Sequence, residues 1–308
     1  SSTHNIQTAK MLERLDPVLL KEKPDVVLVP GDTNSTLAGS LAAYKMHIPN
    51  GHIEAVIREN TWRPEEINKK VADHCADFCF CPTPLAVNNL RAENIPEQNI
   101  FLTGDITYDA FLRAKKQIEN GQISIPEYDD LGKYILLTMH RAETVDYYDK
   151  VSEIVDAILE IDKPIIYPMH PRSEKMLKKF GLYDKLVNAK HIKLCQPLGY
   201  YEFLSLLLNA SLVMTDSGGT IKEAFYALKP CVTFDETSEY TEIFEIGYNI
   251  LVGRIKDNIL NGFSIMWDKV FAPPKLNPFG DGTTAAQIIS ILYKKQDILI
   301  RVSDIHDV

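Results

Sequence analysis

The chain has 308 residues, enough for two domains at about 100–200 residues each. Apolar residues make up 45% and charged residues 24%, a balance that supports a sizeable core and excludes wholesale disorder. A formal net charge of −9 argues against non-specific nucleic-acid binding, and no apolar run reaches the roughly 18–20 residues of a membrane span.

Strand-like apolar runs alternate with helix-length segments nearly throughout. VVLVP at 26–30 is rich in β-branched residues and reads as a buried parallel strand. Residues 33–46 read as a helix, 50–55 as strand and loop, and 64–75 as a helix with Pro64 in its first turn. FCFC at 78–81 is a strand; 84–93 is helical, 100–103 a strand and 107–118 helical. The stretch 120–130 has Gly, Pro and acidic residues and no period, so it reads as a linker. This sets domain limits of 1–119 and 120–308. Strands then follow at 134–138, 164–168, 191–195, 211–215 and 230–234. Helices are expected at 145–161, 173–180, near 199–208 and 219–228, and about 281–295. Such alternation predicts an α/β protein with two doubly wound parallel sheets, and ligands bind at the carboxyl ends of such strands.

The five cysteines suggest no disulfide framework in a chain of this length. Cys75, Cys79 and Cys81 cluster, but no second Cys/His pair follows at zinc-ligand spacing, so no metal is expected. Buried reduced thiols in a cytoplasmic protein are the better reading. The first residues, SSTHNIQTAK, lack the apolar stretch of a signal peptide.

The informative residues sit just after the strands. PGDTNST at 30–36 puts Asp32 at a strand tip; a helix cap would explain the same residues. GHIEAVIREN at 51–60 clusters His52, Glu54 and Arg58, read either as a partly buried proton-transfer carboxyl or as a surface Glu–Arg pair. RPEEIN at 63–68 places Glu65 and Glu66 in a first helical turn, where the helix dipole alone accounts for one of them. Asp32, Glu54 and Glu65 come from loops on one sheet edge, and converging carboxylates push one another's pKa values apart. MHRAETVD at 139–146 offers His140 and Arg141 after a strand, with capping by Thr144 as the plainer reading. MHPRS at 169–173 offers His170 before a proline. TDSGGTIKEAF at 215–225 is the strongest signal. Ser217, Gly218 and Gly219 open a helix whose free N–H groups suit a phosphate, and Glu223 follows where a carboxylate can accept from ribose hydroxyls. Glu239 and Glu242, in an acid-rich loop, either bound a sugar pocket or face solvent.

PGDTNST, HIEA…R, PEEIN, HRAET, DSGGTIKEA and NPFGDG, in this order, resemble the non-hydrolysing UDP-N-acetylglucosamine 2-epimerases over nearly the whole chain. The resemblance implies two Rossmann-like domains of glycosyltransferase-B type. It implies interconversion of UDP-N-acetylglucosamine and UDP-N-acetylmannosamine, with no NAD or metal in the chemical step. The route would be UDP elimination to a 2-acetamidoglucal, then re-addition with inversion at C2. It assigns catalytic roles to Asp32, Glu54, Glu65 and His140, and substrate contacts to Arg58, Arg141, His170, Ser217, Gly218, Gly219 and Glu223. A homodimer is also implied. The hydrolysing epimerases share these motifs and are the near alternative. Val56 stands where the family usually has Gly, and Lys222 where it has an acidic residue or Gln. The chain also starts roughly 80 residues into the family's first domain. A parallel sheet without its opening strand would expose apolar edges, so a partial first domain, belonging to a longer protein, is expected. A UDP-sugar-binding piece with impaired turnover is the corresponding non-enzyme reading.

Overall fold

A computed structural model of the chain describes residues 3–58, 63–122 and 132–295. Most of the expected linker, residues 123–130, lies outside the described residues. The chain divides into two compact units, Ser1–Ala110 with Leu276–Val308, and Phe111–Lys275.

Among its described residues the first unit holds four parallel strands in sequential order: β1 (Val27–Pro30), β2 (Asn50–Ile53), β3 (Phe78–Cys81) and β4 (Ile100–Leu102). Helices α1 (His4–Glu22), α2 (Asn34–Lys45), α3 (Pro64–Cys75), α4 (Pro84–Ala92) and α5 (Ile106–Glu119) accompany them, and α5 runs through the break between units. The period of two in FCFC decides the packing. Phe78 and Phe80 share one face with Leu28 and Phe101, whereas Cys79 and Cys81 pack with Ala86, Leu90 and Ile95. Burial pushes both thiols up, Cys81 to about 12, which leaves them unreactive. The chain returns at its far end to finish this unit. Ile288 and Leu292 of α14 (Thr284–Lys294) cover Phe78 and Phe80. Gly104 allows the return strap to pass: its φ is +88°, and a Cβ there would sit 2.8 Å from the Phe279 carbonyl oxygen.

Among its described residues the second unit holds six parallel strands, β5 (Ile135–Thr138), β6 (Ile165–Pro168), β7 (Ile192–Cys195), β8 (Leu212–Thr215), β9 (Cys231–Thr233) and β10 (Asn249–Leu251). Their order is β10-β9-β8-β5-β6-β7. Adjacent β5 and β8 lead the chain away in opposite directions, which is the switch point where doubly wound sheets form a ligand crevice. The near-continuous apolar strands bury Ile135, Leu137, Met214 and Val232 between helical layers, including α7 (Tyr148–Glu160) and α13 (Lys256–Met266). No helix among the described residues is long and apolar enough to cross a membrane.

Candidate active site

In the first unit, the turn after β1 carries Asp32 and the end of β2 carries Glu54. Gly31 adopts φ +67° and donates its N–H to the Ile53 carbonyl at 3.0 Å, joining the two strand tips. Glu54 Oε2 lies 3.9 Å from where a Gly31 Cβ would be, so the Glu54 carboxyl reaches the Asp32 turn. Glu54 is itself in the left-handed region, φ +67°, and so is Val56 at φ +56°. Such backbone is costly for non-glycine residues and is held by its surroundings. Ala55 N–H bonds to the Phe80 carbonyl at 3.1 Å, and Ala55 and Val56 are fully buried. The valine at a position where the resembling family has Gly thus occupies a glycine-type conformation.

Helix α3 supplies the third carboxylate. Arg63 caps it, Pro64 opens it, and Glu65 is half-buried in its first turn. Asn68 and Lys69, one turn on and on the same helix face as Glu65, both reach the Asp32 turn. Asn68 donates to the Asp32 carbonyl at 2.9 Å, and Lys69 Nζ stands 3.4 Å from Asp32 Oδ2. The Asp32 turn, Glu54 and the first turns of α3, which carry Glu65, therefore meet at one end of the first sheet. Glu66 turns inward instead, toward Arg58 (4.0 Å) and Lys70 (3.8 Å).

Arg58, expected among the substrate contacts, is enclosed by protein carboxylates in the first unit. Its side chain is 6% exposed. Nη2 donates to Asp73 at 2.7 Å, and Nε and Nη2 donate to Glu93 at 2.8 Å each. Burial disfavours the charged guanidinium, but the two carboxylates outweigh that and raise its pKa; Glu93 is held below the usual carboxylate range by the Arg58 bond. Two converging carboxylates inside the unit claim this arginine.

In the second unit, the loops after β5 and β8 meet at the switch point. Thr138 and Thr215 share a 2.7 Å hydroxyl hydrogen bond across the two strand tips. Asp216, fully buried, accepts the N–H of His140 on both oxygens and that of Arg141 on Oδ2, at 3.0 Å each. Ser217 caps α11 (Gly218–Tyr226), its hydroxyl accepting from Thr220 N–H. Gly219 is exposed, and a Cβ there would meet nothing within 4 Å, so the helix start opens onto free space. Around Gly218 stand Tyr240, Arg141 Nη2 and Glu239 Oε1, 3.4–3.5 Å from its Cβ position. Arg141 is aimed there by Asp235, which takes Nη1 at 2.8 Å and is also paired with Arg254. Glu242 Oε1 is buried without a hydrogen-bond partner. Lys222 is buried, its Nζ 5.3 Å from the Tyr240 ring centroid.

His140 and His170 face one another with ring centroids 5.3 Å apart. His170 caps α8 (Pro171–Lys179): its Nδ1 accepts from Arg172 N–H at 3.1 Å. Partial burial, the neighbouring His140 and Arg172 lower its pKa, which keeps it neutral with Nε2–H as a free donor. Glu223, half-buried in α11, is pushed up to about 7 by desolvation, against the hydrogen bond from Tyr200 and the charge of Lys222. Tyr200, at the start of α10 (Tyr200–Asn209), is itself pushed up to about 12 by burial and by Glu223.

Sequence reasoning missed Asp73, Asp216, Asp235 and Tyr200. Asp216 and Asp235 each directly follow an expected strand, which was a usable signal; Asp73 and Tyr200 carry none of their own.

The profile of the UDP-N-acetylglucosamine 2-epimerase family matches residues 1–293. The chain is 45% identical over 303 residues to a UDP-N-acetylglucosamine 2-epimerase of Methanocaldococcus jannaschii, covering 95% of this chain and 81% of that protein. It is 39% identical to a UDP-2,3-diacetamido-2,3-dideoxy-D-glucuronate 2-epimerase of Pseudomonas aeruginosa, with coverage of 95% and 81%. Among solved structures, the M. jannaschii UDP-GlcNAc 2-epimerase in complex with UDP-GlcNAc and UDP matches with a TM-score of 0.87 and 44% identity, over 96% of this chain and 82% of that one. The architecture is thus the two-domain glycosyltransferase-B type.

Proposed function

The chain belongs to the UDP-N-acetylglucosamine 2-epimerase family, and from that premise we propose that it interconverts UDP-N-acetylglucosamine and UDP-N-acetylmannosamine. The reading is supported by Glu54 reaching the Gly31–Asp32 turn, and by Asn68 and Lys69, one turn on from Glu65 in α3, binding that same turn. The chemistry asks for a set of carboxylates. A carboxylate takes the C2 proton; the C1–O bond breaks and UDP leaves with its electron pair, giving the 2-acetamidoglucal. A UDP oxygen then returns to C1 while a carboxylic acid protonates C2 from the other face. One carboxyl group must act as base on one face and another as acid on the opposite face, and a set of three supplies a candidate for each role.

The leaving diphosphate needs positive charge and N–H donors that are already in place. The open N-terminus of α11 at Ser217, Gly218 and Gly219, the Arg141 guanidinium, and the donors His140 and His170 supply them in the second unit. Glu223 is assigned to the ribose hydroxyls. A second copy of the chain is the expected macromolecular partner. The cytoplasm is the proposed compartment, consistent with five free cysteines.

The test is incubation with UDP-N-acetylglucosamine in deuterated water. Deuterium at C2 in both epimers supports the reading. Free N-acetylmannosamine with UDP would make the chain a hydrolysing epimerase. Absence of both exchange and product would overturn the activity.

A further inference from the structure

His52 is fully buried in the middle of the first sheet, yet both of its ring nitrogens are spoken for. Nδ1 is 2.6 Å from Asp73 Oδ1, and Nε2 is 2.7 Å from the Gly31 carbonyl oxygen. A carboxylate and a carbonyl only accept. A neutral imidazole has one N–H, and either tautomer would leave a lone pair facing an acceptor at one end. Both contacts are satisfied only when both nitrogens donate, which makes the ring an imidazolium.

The ends of this bridge are not arbitrary. Gly31 is the residue before Asp32, and Asp73 lies on α3, whose first turn carries Glu65. His52 itself lies two residues before Glu54, whose left-handed backbone starts directly after β2. One ring thus ties together the three segments that carry Asp32, Glu54 and Glu65. We propose that His52 is a positively charged positioning residue that fixes these three carboxylates relative to one another, and so sets the turnover rate without touching the sugar nucleotide. The inference rests on the function proposed above and adds a residue to it.

The surrounding charges fit. Asp73, from α3, serves His52 and Arg58 together, and Glu93 takes Nε and Nη2 of Arg58. Glu66 stands 4.0 Å from Arg58 Nε, so the two buried cations are met by carboxylates from several sides, the condition for keeping charge inside a protein. Cys79 of β3, opposite His52 in the parallel register, is kept a thiol by burial and by Asp73. Glu54 adds a favourable charge from the end of β2, and Asp32 on the next turn is engaged by Lys69. Burial works against the charged ring, but the Asp73 hydrogen bond and charge, the Gly31 carbonyl and Glu54 together raise its pKa above the ordinary histidine value.

The experiment has two arms on the full chain. Nitrogen-15 NMR of the histidine rings, assigned with His52→Gln, reads the ring state: both nitrogens protonated at pH 7.5 is expected, and a single neutral tautomer would overturn the proposal. Kinetics of His52→Gln and Asp73→Asn form the second arm. A displacement of the carboxylates by about an ångström is expected to lower kcat and C2 exchange roughly a hundredfold. KM for the sugar nucleotide and UDP affinity are expected to stay within about twofold, since the lost interaction acts on the reacting geometry. Unchanged kcat, or KM rising in step with the loss of kcat, would overturn it. If His52→Gln does not fold, Asp73→Asn and the NMR arm on wild type decide. A wild-type chain with no turnover counts against the function proposed above; the ring state then decides the strut alone.

Discussion

The carboxylate of Asp216 takes the backbone N–H of His140 on both of its oxygens, at 3.0 Å each, and that of Arg141 on one. A side chain at the tip of β8 thereby shapes the loop that follows β5. Asp216→Asn leaves one carbonyl oxygen for three contacts and turns an amide N–H2 toward a backbone donor. A loss of about 1–3 kcal/mol in unfolding free energy is expected, the usual penalty for stranding a buried polar group. Calorimetric titration with UDP should show weaker binding, because the His140 and Arg141 side chains lose their common anchor.

Glu223 gives the nucleotide site a pH dependence. Its carboxyl is pushed up to about 7, so near neutral pH it is about half protonated in the unliganded protein. Ribose hydroxyls donate to the carboxylate form. UDP affinity is expected to rise as pH goes from 6 to 8, and Glu223→Gln should flatten that rise. An unchanged pH profile in the variant would show that another group controls binding.

Replacing Glu54 by Gln, or Asp32 by Asn, removes a proton carrier while keeping shape. A fall of about 10²–10⁴ in kcat is expected for whichever residue transfers the C2 proton. UDP binding should be retained, since the diphosphate donors lie in the second unit. Deuterium exchange at C2 under single-turnover conditions separates the two roles: the variant that lost the base loses wash-in from that epimer first.

His52 also predicts how stability responds to pH. Its folded-state pKa lies above the ordinary value of 6.5. The folded state therefore binds its proton more tightly than the unfolded chain does. That contribution is full below pH 6.5 and is lost as pH rises through the folded-state value. Urea unfolding followed on the alkaline side of neutrality should show declining stability in wild type and a weaker decline in His52→Gln.

Gly104 tests the return of the chain. Alanine there would need φ +88° and would place its Cβ 2.8 Å from the Phe279 carbonyl oxygen and 2.9 Å from Thr284 Oγ1. Strained backbone of this kind costs about 1–3 kcal/mol, before any displacement of the strap. Thermal unfolding of Gly104→Ala should reveal it.

Most of the architecture was legible before any coordinates. The runs FCFC and YILLT carry their own burial pattern, and Pro64 and Ser217 mark helix starts, because these signals are local. Helix α1 and the segment of β10 and α13 were not read: α1 carries Pro17 inside it, and β10 is only three residues long. The site divided in the same way. Residues at strand tips, such as Asp32 and His140, were visible because topology brings each to the carboxyl edge of its own sheet. The partners of Arg58 were not: a sequence shows a guanidinium but not that Asp73, fifteen positions on, and Glu93 will enclose it. Buried carboxylates reveal their partners only when the chain is folded.

The last helix lies across Phe78 and Phe80, and this has a consequence for synthesis. A ribosome emits the phenylalanines about two hundred residues ahead of Ile288 and Leu292, an interval of some tens of seconds at about 5–20 residues per second. Throughout that interval an aromatic surface waits uncovered while the six-stranded unit encoded between is still being made. Nascent chains stalled before residue 284 should therefore be the ones that chaperones hold.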